Sequence, residues 1–253
     1  MTAYETLLYE VKDHIGLLTL NRPESINAVN LRMMEELEDF WNQRKQDEQV
    51  RVIILSGGGE KGFCSGLDIK EAFGRTAEYD VTLFYRSQQR MSRILSAMRF
   101  CPQPIVAAVH GAAAGIGFSL ALASDIRVIT PKARFAASYI NIGFGGADIG
   151  SSYFLPRLIG AGRAYEFLLT GEFMDSETAM NLGLASRLVE KDELLPTAMH
   201  LAEIMCLKNP LGLRLTKEAI NVNLDAGGLE QALHLEDRNQ SLCFTTIRYE
   251  SKG

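Results

Sequence analysis

PIVAAVHGAAAGIGFSLALASDIRV, residues 104–128, decides the fold. Ile105–Val109 is an unbroken apolar run of strand length, which suits a strand covered on both faces. His110–Gly117 follows as a turn of small residues, and Gly115–Ser124 then reads as a helix apolar on every side, hence interior. Ile126–Thr130 is a second short apolar strand. Strand, buried helix, strand in that order predicts a parallel βα unit with a right-handed crossover.

The same pattern extends outward. Val50–Leu55 predicts another buried strand, broken by Gly57-Gly58-Gly59, and Val81–Arg99 predicts a long polar helix ending before Pro102 and Pro104. Upstream, residues 4–20 predict two short strands around a polar turn at Lys12-Asp13-His14. From Asn30 to about Gln46 the residues Leu31, Met34, Leu37, Phe40 and Trp41 fall on one helical stripe. Beyond Gly162 the chain predicts helices at 164–170, 176–182, 193–207, 210–224 and 229–243. No linker rich in Gly, Ser or Pro interrupts it. The expectation is one α/β core, residues 1–190, with 191–253 as a helical C-terminal region and not an independent domain.

Composition narrows the function. The chain has 253 residues, 47% hydrophobic and 23% charged, enough to bury a core without disulfides or metal. A net charge of −5 without a long Lys or Arg run argues against nucleic acid or an acidic membrane surface as a partner. No uncharged apolar stretch reaches the roughly 18 residues that a membrane helix needs. Cys64, Cys101, Cys206 and Cys243 fit no CxxC or Cys/His ligand spacing, so reduced thiols and no metal are expected. The N-terminus lacks the basic start and apolar core of a signal peptide. These features predict a cytoplasmic protein.

Neither a phosphate loop, a GxSxG elbow nor an HExxH motif is present, and His14, His110, His200 and His234 stand beside no plausible nucleophile. Two turns remain. Phe63-Cys64-Ser65-Gly66-Leu67-Asp68-Ile69 follows one buried strand, and His110–Gly117 follows another and enters the buried helix. Small residues let a ligand approach the backbone, and a helix N-terminus offers free N–H groups. Two such donors on one carbonyl oxygen would stabilise developing charge, although tight turns explain the glycines equally well.

The segments NRPESINAVN (21–30), the 50–70 stretch ending SGLDIK, PIVAAVHGAAAGIGFSLALASDIRV (104–128), LPRLIGAGRA (155–164), LLTGEFMDSETAMNLGLASRLV (168–189) and NPLGLRLTKEAI (209–220) resemble the crotonase, or enoyl-CoA hydratase/isomerase, superfamily over essentially the whole chain. The resemblance implies a spiral of ββα units with a helical C-terminal region, assembled as homotrimers or hexamers. The helix at 193–207 carries Leu194, Leu195, Met199, Leu201, Ile204 and Met205, more apolar positions than one monomer's core needs, which agrees with assembly. An acyl-CoA thioester is the implied ligand, with coenzyme A as part of the substrate and no separate cofactor. Its thioester oxygen would be held by the N–H groups of Leu67 and Ile116, beside Gly66 and Gly115. Ser25, Ile26, Ala28, Ser65, Asp68 and Ile69 would line the CoA path.

The departures concern mechanism. The hydratase pattern places one glutamate two residues after the Gly-rich turn and a second twenty positions later; Ser119 and Tyr139 stand there. Neither can act as a carboxylate base. Asp148, in GGADIGSS, resembles the acid used by dienoyl-CoA isomerases and 4-chlorobenzoyl-CoA dehalogenases, given one inserted residue in the preceding loop. Its structural alternative is a turn or helix N-cap. Tyr139 is a pocket wall or a weak acid, Ser119 a small helix residue and Asp125 a structural one. The stretch Arg90–Ser96 lacks the histidine a dehalogenase needs, and the sequence ends at Gly253, short of the tail in which many relatives place a lysine near the CoA phosphate. The expected activity is hydration or double-bond shift on an unsaturated acyl-CoA. The alternatives are a non-catalytic acyl-CoA binder and a CoA-thioester hydrolase.

Overall fold

Asp13 and His14 both adopt left-handed backbone, with φ 50° and 67°, the geometry of a two-residue hairpin. They join β1 (Leu7–Lys12) to the antiparallel β2 (Ile15–Leu20). The computed structural model describes residues 4–74 and 81–247; residues 248–253, part of the expected C-terminal region, lie outside the described residues. The helix α1 (Leu31–Arg44) starts where the Asn30 side chain accepts the Met33 N–H, and it buries Met33, Met34, Leu37, Phe40 and Trp41.

From there the chain runs β3 (Val52–Gly57), β4 (Gly62–Cys64), α2 (Ile69–Gly74), α3 (Val81–Arg99), β5 (Ile105–Val109), β6 (Ala112–Ala114), α4 (Ile116–Ala123), β7 (Ile126–Ile129) and β8 (Arg134–Ala136). One sheet has the order β1-β2-β3-β5-β7 and is closed by β10 (Arg187–Leu188); the other is β4-β6-β8 with β9 (Met174–Asp175). Strands β2, β3, β5, β7 and β10 are parallel neighbours, as are β4, β6 and β8. Each repeat therefore lays one strand in each sheet before its helix, a ββα spiral. Of the segments expected as turns, 63–69 begins inside the three-residue strand β4 and 111–117 contains the three-residue strand β6, both too short to show a period of two in sequence.

Burial on both faces is real for β3 and β5. Ile53, Leu55, Ile105, Ala107 and Val109 join the main core with α1, α3 and the wholly buried α4. Val52, Ile54, Val106 and Ala108 point the other way, onto Leu194, Ala198 and Ala202 of α8 (Leu194–Cys206). This second core corrects the expectation that α8 carries spare apolar surface: Leu194, Met199, Leu201 and Met205 pack against the sheet, while Leu195 and Ile204 remain exposed.

Helices α5 (Ser151–Ile159), α6 (Ala161–Thr170) and α7 (Ser176–Asn181) precede α8, and α9 (Pro210–Asn223) and α10 (Leu229–Phe244) follow it. The sequence did not announce α5, which carries Pro156 inside and glycines at both ends. On α9, Lys217 lies 2.8 Å from the Asp125 carboxylate and donates to the Gln103 carbonyl at 2.9 Å, fastening that helix to the core. All four cysteines are free, and among the described residues no helix is long and apolar enough to cross a membrane.

Candidate active site

Two glycines with left-handed backbone bring the distant turns together. Gly66 (φ 111°) and Gly115 (φ 53°) lie back to back: a Cβ on Gly115 would stand 3.5 Å from the Gly66 Cα, and one on Gly66 would stand 3.2 Å from the Ala114 carbonyl. Val29 donates its N–H to Gly66 and accepts that of Asp68, a parallel bridge that leaves the intervening Leu67 N–H on the opposite side. Ile116 is the first residue of α4, so its N–H has no partner within the helix. Leu67 and Ile116, adjacent through Gly66 and Gly115, thus present backbone N–H groups with no backbone partner among the described residues, beside the positive end of a buried helix.

The predicted ligand-path residues gather alongside. Ser65 donates its N–H to Ile26 and its hydroxyl to the Ser25 carbonyl, and Ala28 caps the same loop by donating to Ser25. Ile69 is exposed at the start of α2. Asp68 spends its carboxylate on Arg22, 2.9 Å away, whose guanidinium also donates to the Ala28 carbonyl at 2.6 Å. Asn27 is wholly buried and its amide donates to the carbonyls of Gly58, Gly62 and Phe63. Arg22 and Asn27 were not singled out from sequence. Their signal was polar residues between apolar ones in NRPESINA, which alone does not say what they hold.

Ser119 and Tyr139, twenty residues apart, meet with their hydroxyls 3.3 Å from each other, and Tyr139 donates to the Asp148 carbonyl at 3.3 Å. Burial pushes the Tyr139 phenol above its ordinary value, with the Ser119 and Ser151 hydroxyls pulling back, so it stays protonated in the neutral range. Asp148 is not the helix cap. Gly150 takes that position with no side-chain bond, and the Asp148 turn is closed through its backbone, which donates to the Ser151 hydroxyl and accepts the Ser151 N–H. The carboxylate instead accepts the Ile149 N–H at 2.8 Å and the Gln88 amide at 3.2 Å to each oxygen. Gln88 on α3 was also missed by sequence reasoning, because its partner lies 60 residues away. Among the described residues no cluster of His, Cys, Asp or Glu could hold a metal ion.

The sequence profile of the enoyl-CoA hydratase/isomerase family matches residues 10–253. The chain belongs to that family. Family members act on acyl-CoA thioesters, and the solved structures share this fold. The chain is 31% identical over 244 residues to a crotonyl-CoA hydratase of Syntrophomonas wolfei, covering 96% of this chain and 92% of that protein. It superposes with TM-score 0.88 on an enoyl-CoA hydratase from Bacillus anthracis, 30% identical, covering 94% and 90% of the two chains. A monofunctional enoyl-CoA isomerase from Mycobacterium smegmatis is 35% identical with TM-score 0.74, covering 90% and 98%. Hydratase and isomerase relatives of comparable identity leave the family reaction divided between the two chemistries.

Proposed function

We propose that this family member is an enzyme that hydrates an unsaturated acyl-CoA or shifts its double bond, with Leu67 and Ile116 as the oxyanion hole and Asp148 as the proton-transferring carboxylate. The observation that carries the reading is the convergence of the Gly66 and Gly115 turns next to the Ser119–Tyr139–Asp148 chain of contacts. In a double-bond shift, Asp148 takes a proton from the carbon beside the thioester. The negative charge spreads onto the thioester oxygen, where two N–H donors and the α4 dipole stabilise it. The same carboxyl then returns the proton to the distal carbon, and the base is restored. Water addition would need a second group to orient the water. Ser119 and Tyr139 bring hydroxyls to those positions in place of carboxylates, so the double-bond shift is the simpler fit. No cofactor enters beyond the substrate's own CoA, for which Ser25, Ile26, Ala28, Ser65 and Ile69 form the path. Homotrimeric or hexameric assembly and a cytoplasmic location belong to the same proposal.

Asp148→Asn keeps shape and removes the base. Turnover should fall about 10²–10⁴-fold, the usual weight of general acid–base catalysis, while calorimetry gives an acyl-CoA affinity within a few-fold of the parent. Crotonyl-CoA, 3-enoyl-CoA and dienoyl-CoA as substrates separate hydration from double-bond shift. Turnover that survives Asp148→Asn removes Asp148 as the base. A parent that binds acyl-CoA and turns over none of them is a binder.

A further inference from the structure

Helix α3 meets the loop before α5 at two rungs. Phe84 stacks on Phe144 with ring centroids 5.4 Å apart and planes 9° from parallel. One helical turn later, Gln88 reaches Asp148, four residues beyond Phe144, with its amide nitrogen 3.2 Å from each carboxylate oxygen. The remaining oxygen of Gln88 is buried and has no hydrogen-bond partner among the described residues. An acceptor left unmade in the interior is costly, so Gln88 is poorly explained as a residue that only stabilises the helix. Between the rungs and the helix stands Ile149 at φ 44°, a conformation that β-branched residues rarely adopt. Such backbone persists where its surroundings over-determine it, and it clusters at functional sites.

The acceptor arithmetic of Asp148 is specific. A carboxylate offers about four lone-pair positions. Among the described residues, Oδ1 accepts from both Ile149 and Gln88, while Oδ2 accepts from Gln88 alone. One position stays open, and it is on Oδ2. We propose that Gln88 is a positioning residue, its amide turning the Asp148 carboxylate so that Oδ2 is the atom that takes and returns the substrate proton, with the Phe84–Phe144 stack holding the loop that carries it. The proposal rests on the reading of Asp148 as the base.

The test uses the full chain and whichever of crotonyl-, 3-enoyl- and dienoyl-CoA the parent turns over fastest. Gln88→Met keeps length and helix propensity and removes the donor; kcat should fall about 10-fold or more with KM within about threefold, since uniform binding is untouched. Gln88→Glu sets a second carboxyl against the first. Like charges at that distance share a proton, so the acid limb of the kcat profile should move up by about one pH unit or more. The hydrogen bonds on the carboxylate come from Gln88 of α3 and the Ile149 N–H of its own loop, and the nearby Tyr139 phenol stays protonated across that range. Gln88→Met with the parent's kcat, in a protein that Asp148→Asn disables, overturns the proposal and leaves the base in place. A kcat lost together with melting temperature, while Gln88→Glu keeps the parent's acid limb, assigns Gln88 to the fold and also overturns it. Asp148→Asn with parental turnover, or a parent inactive on every thioester, overturns the function reading first, and the proposal with it.

Discussion

At Gly117 a methyl group has nowhere to go: a Cβ there would stand 2.3 Å from the Cys64 carbonyl oxygen and 2.7 Å from the Cys64 Cβ. The first turn of α4 therefore packs against β4 backbone to backbone, and in the proposed oxyanion hole that contact would set the spacing of Leu67 and Ile116. Gly117→Ala should push the two apart. Misplacing reacting groups by about 1 Å costs on the order of 10²-fold in rate, so kcat/KM should drop by that order in steady-state assays; a variant as active as the parent would detach the spacing from catalysis. Glu36 is a second residue whose surroundings are decisive. Burial pushes its carboxyl up, but the N–H groups of Glu5 and Thr6, the Thr6 hydroxyl and Arg32 together hold it below the ordinary value. Its folded value is depressed, so its stabilisation is present above the unfolded value of about 4.3 and is lost as pH falls through the folded one. Glu36→Gln should cost about 1–3 kcal/mol at pH 7 and flatten the acid side of the stability curve, as read by urea unfolding between pH 3 and 7.

On the scale of elements, α9 is held by polar bonds to the ends of core elements. Lys217 bridges to Asp125 just after α4 and to the Gln103 carbonyl, and Asn221 donates to the Arg99 carbonyl at the end of α3. Asp125 also accepts the Ile105 N–H, tying the start of β5 to the end of α4. Removing one partner of a buried pair leaves the other uncompensated. Because Asp125 is partly exposed, Lys217→Met should cost roughly 3 kcal/mol, the low end for such pairs. Chemical unfolding measures it, and a change near zero would mean that α9 is held by apolar packing alone. The helices α1, α3 and α4 were legible beforehand because each is long enough to display its period or its uniform apolarity. Strands β4, β6 and β8 were not, since three residues carry no period, and their hydrogen-bond partners are other repeats of the spiral.

For the whole molecule, the C-terminal section carries exposed apolar side chains: Leu207, Leu229, Phe244, Ile220 and Ile247 are all more than half exposed. Large exposed apolar patches mark interfaces, and in the proposed assembly these side chains would supply one. Light scattering should give a trimer or hexamer, and a mass near 28.0 kDa would refute assembly.

The sequence by itself determined the buried βα repeats, the interior helix read at 115–124, the two Gly-rich turns and an acid at 148, because burial and backbone geometry write themselves locally as apolar runs, small residues and glycines. Only the tertiary structure decided that Gly66 and Gly115 touch, that Arg22 and Asn27 brace the first turn, that Ser119 meets Tyr139, and that Asp148 answers to Gln88 and not to a helix cap. Each of those facts joins residues from different repeats, and such pairings are set by how elements pack across the core, which no periodicity along the chain encodes.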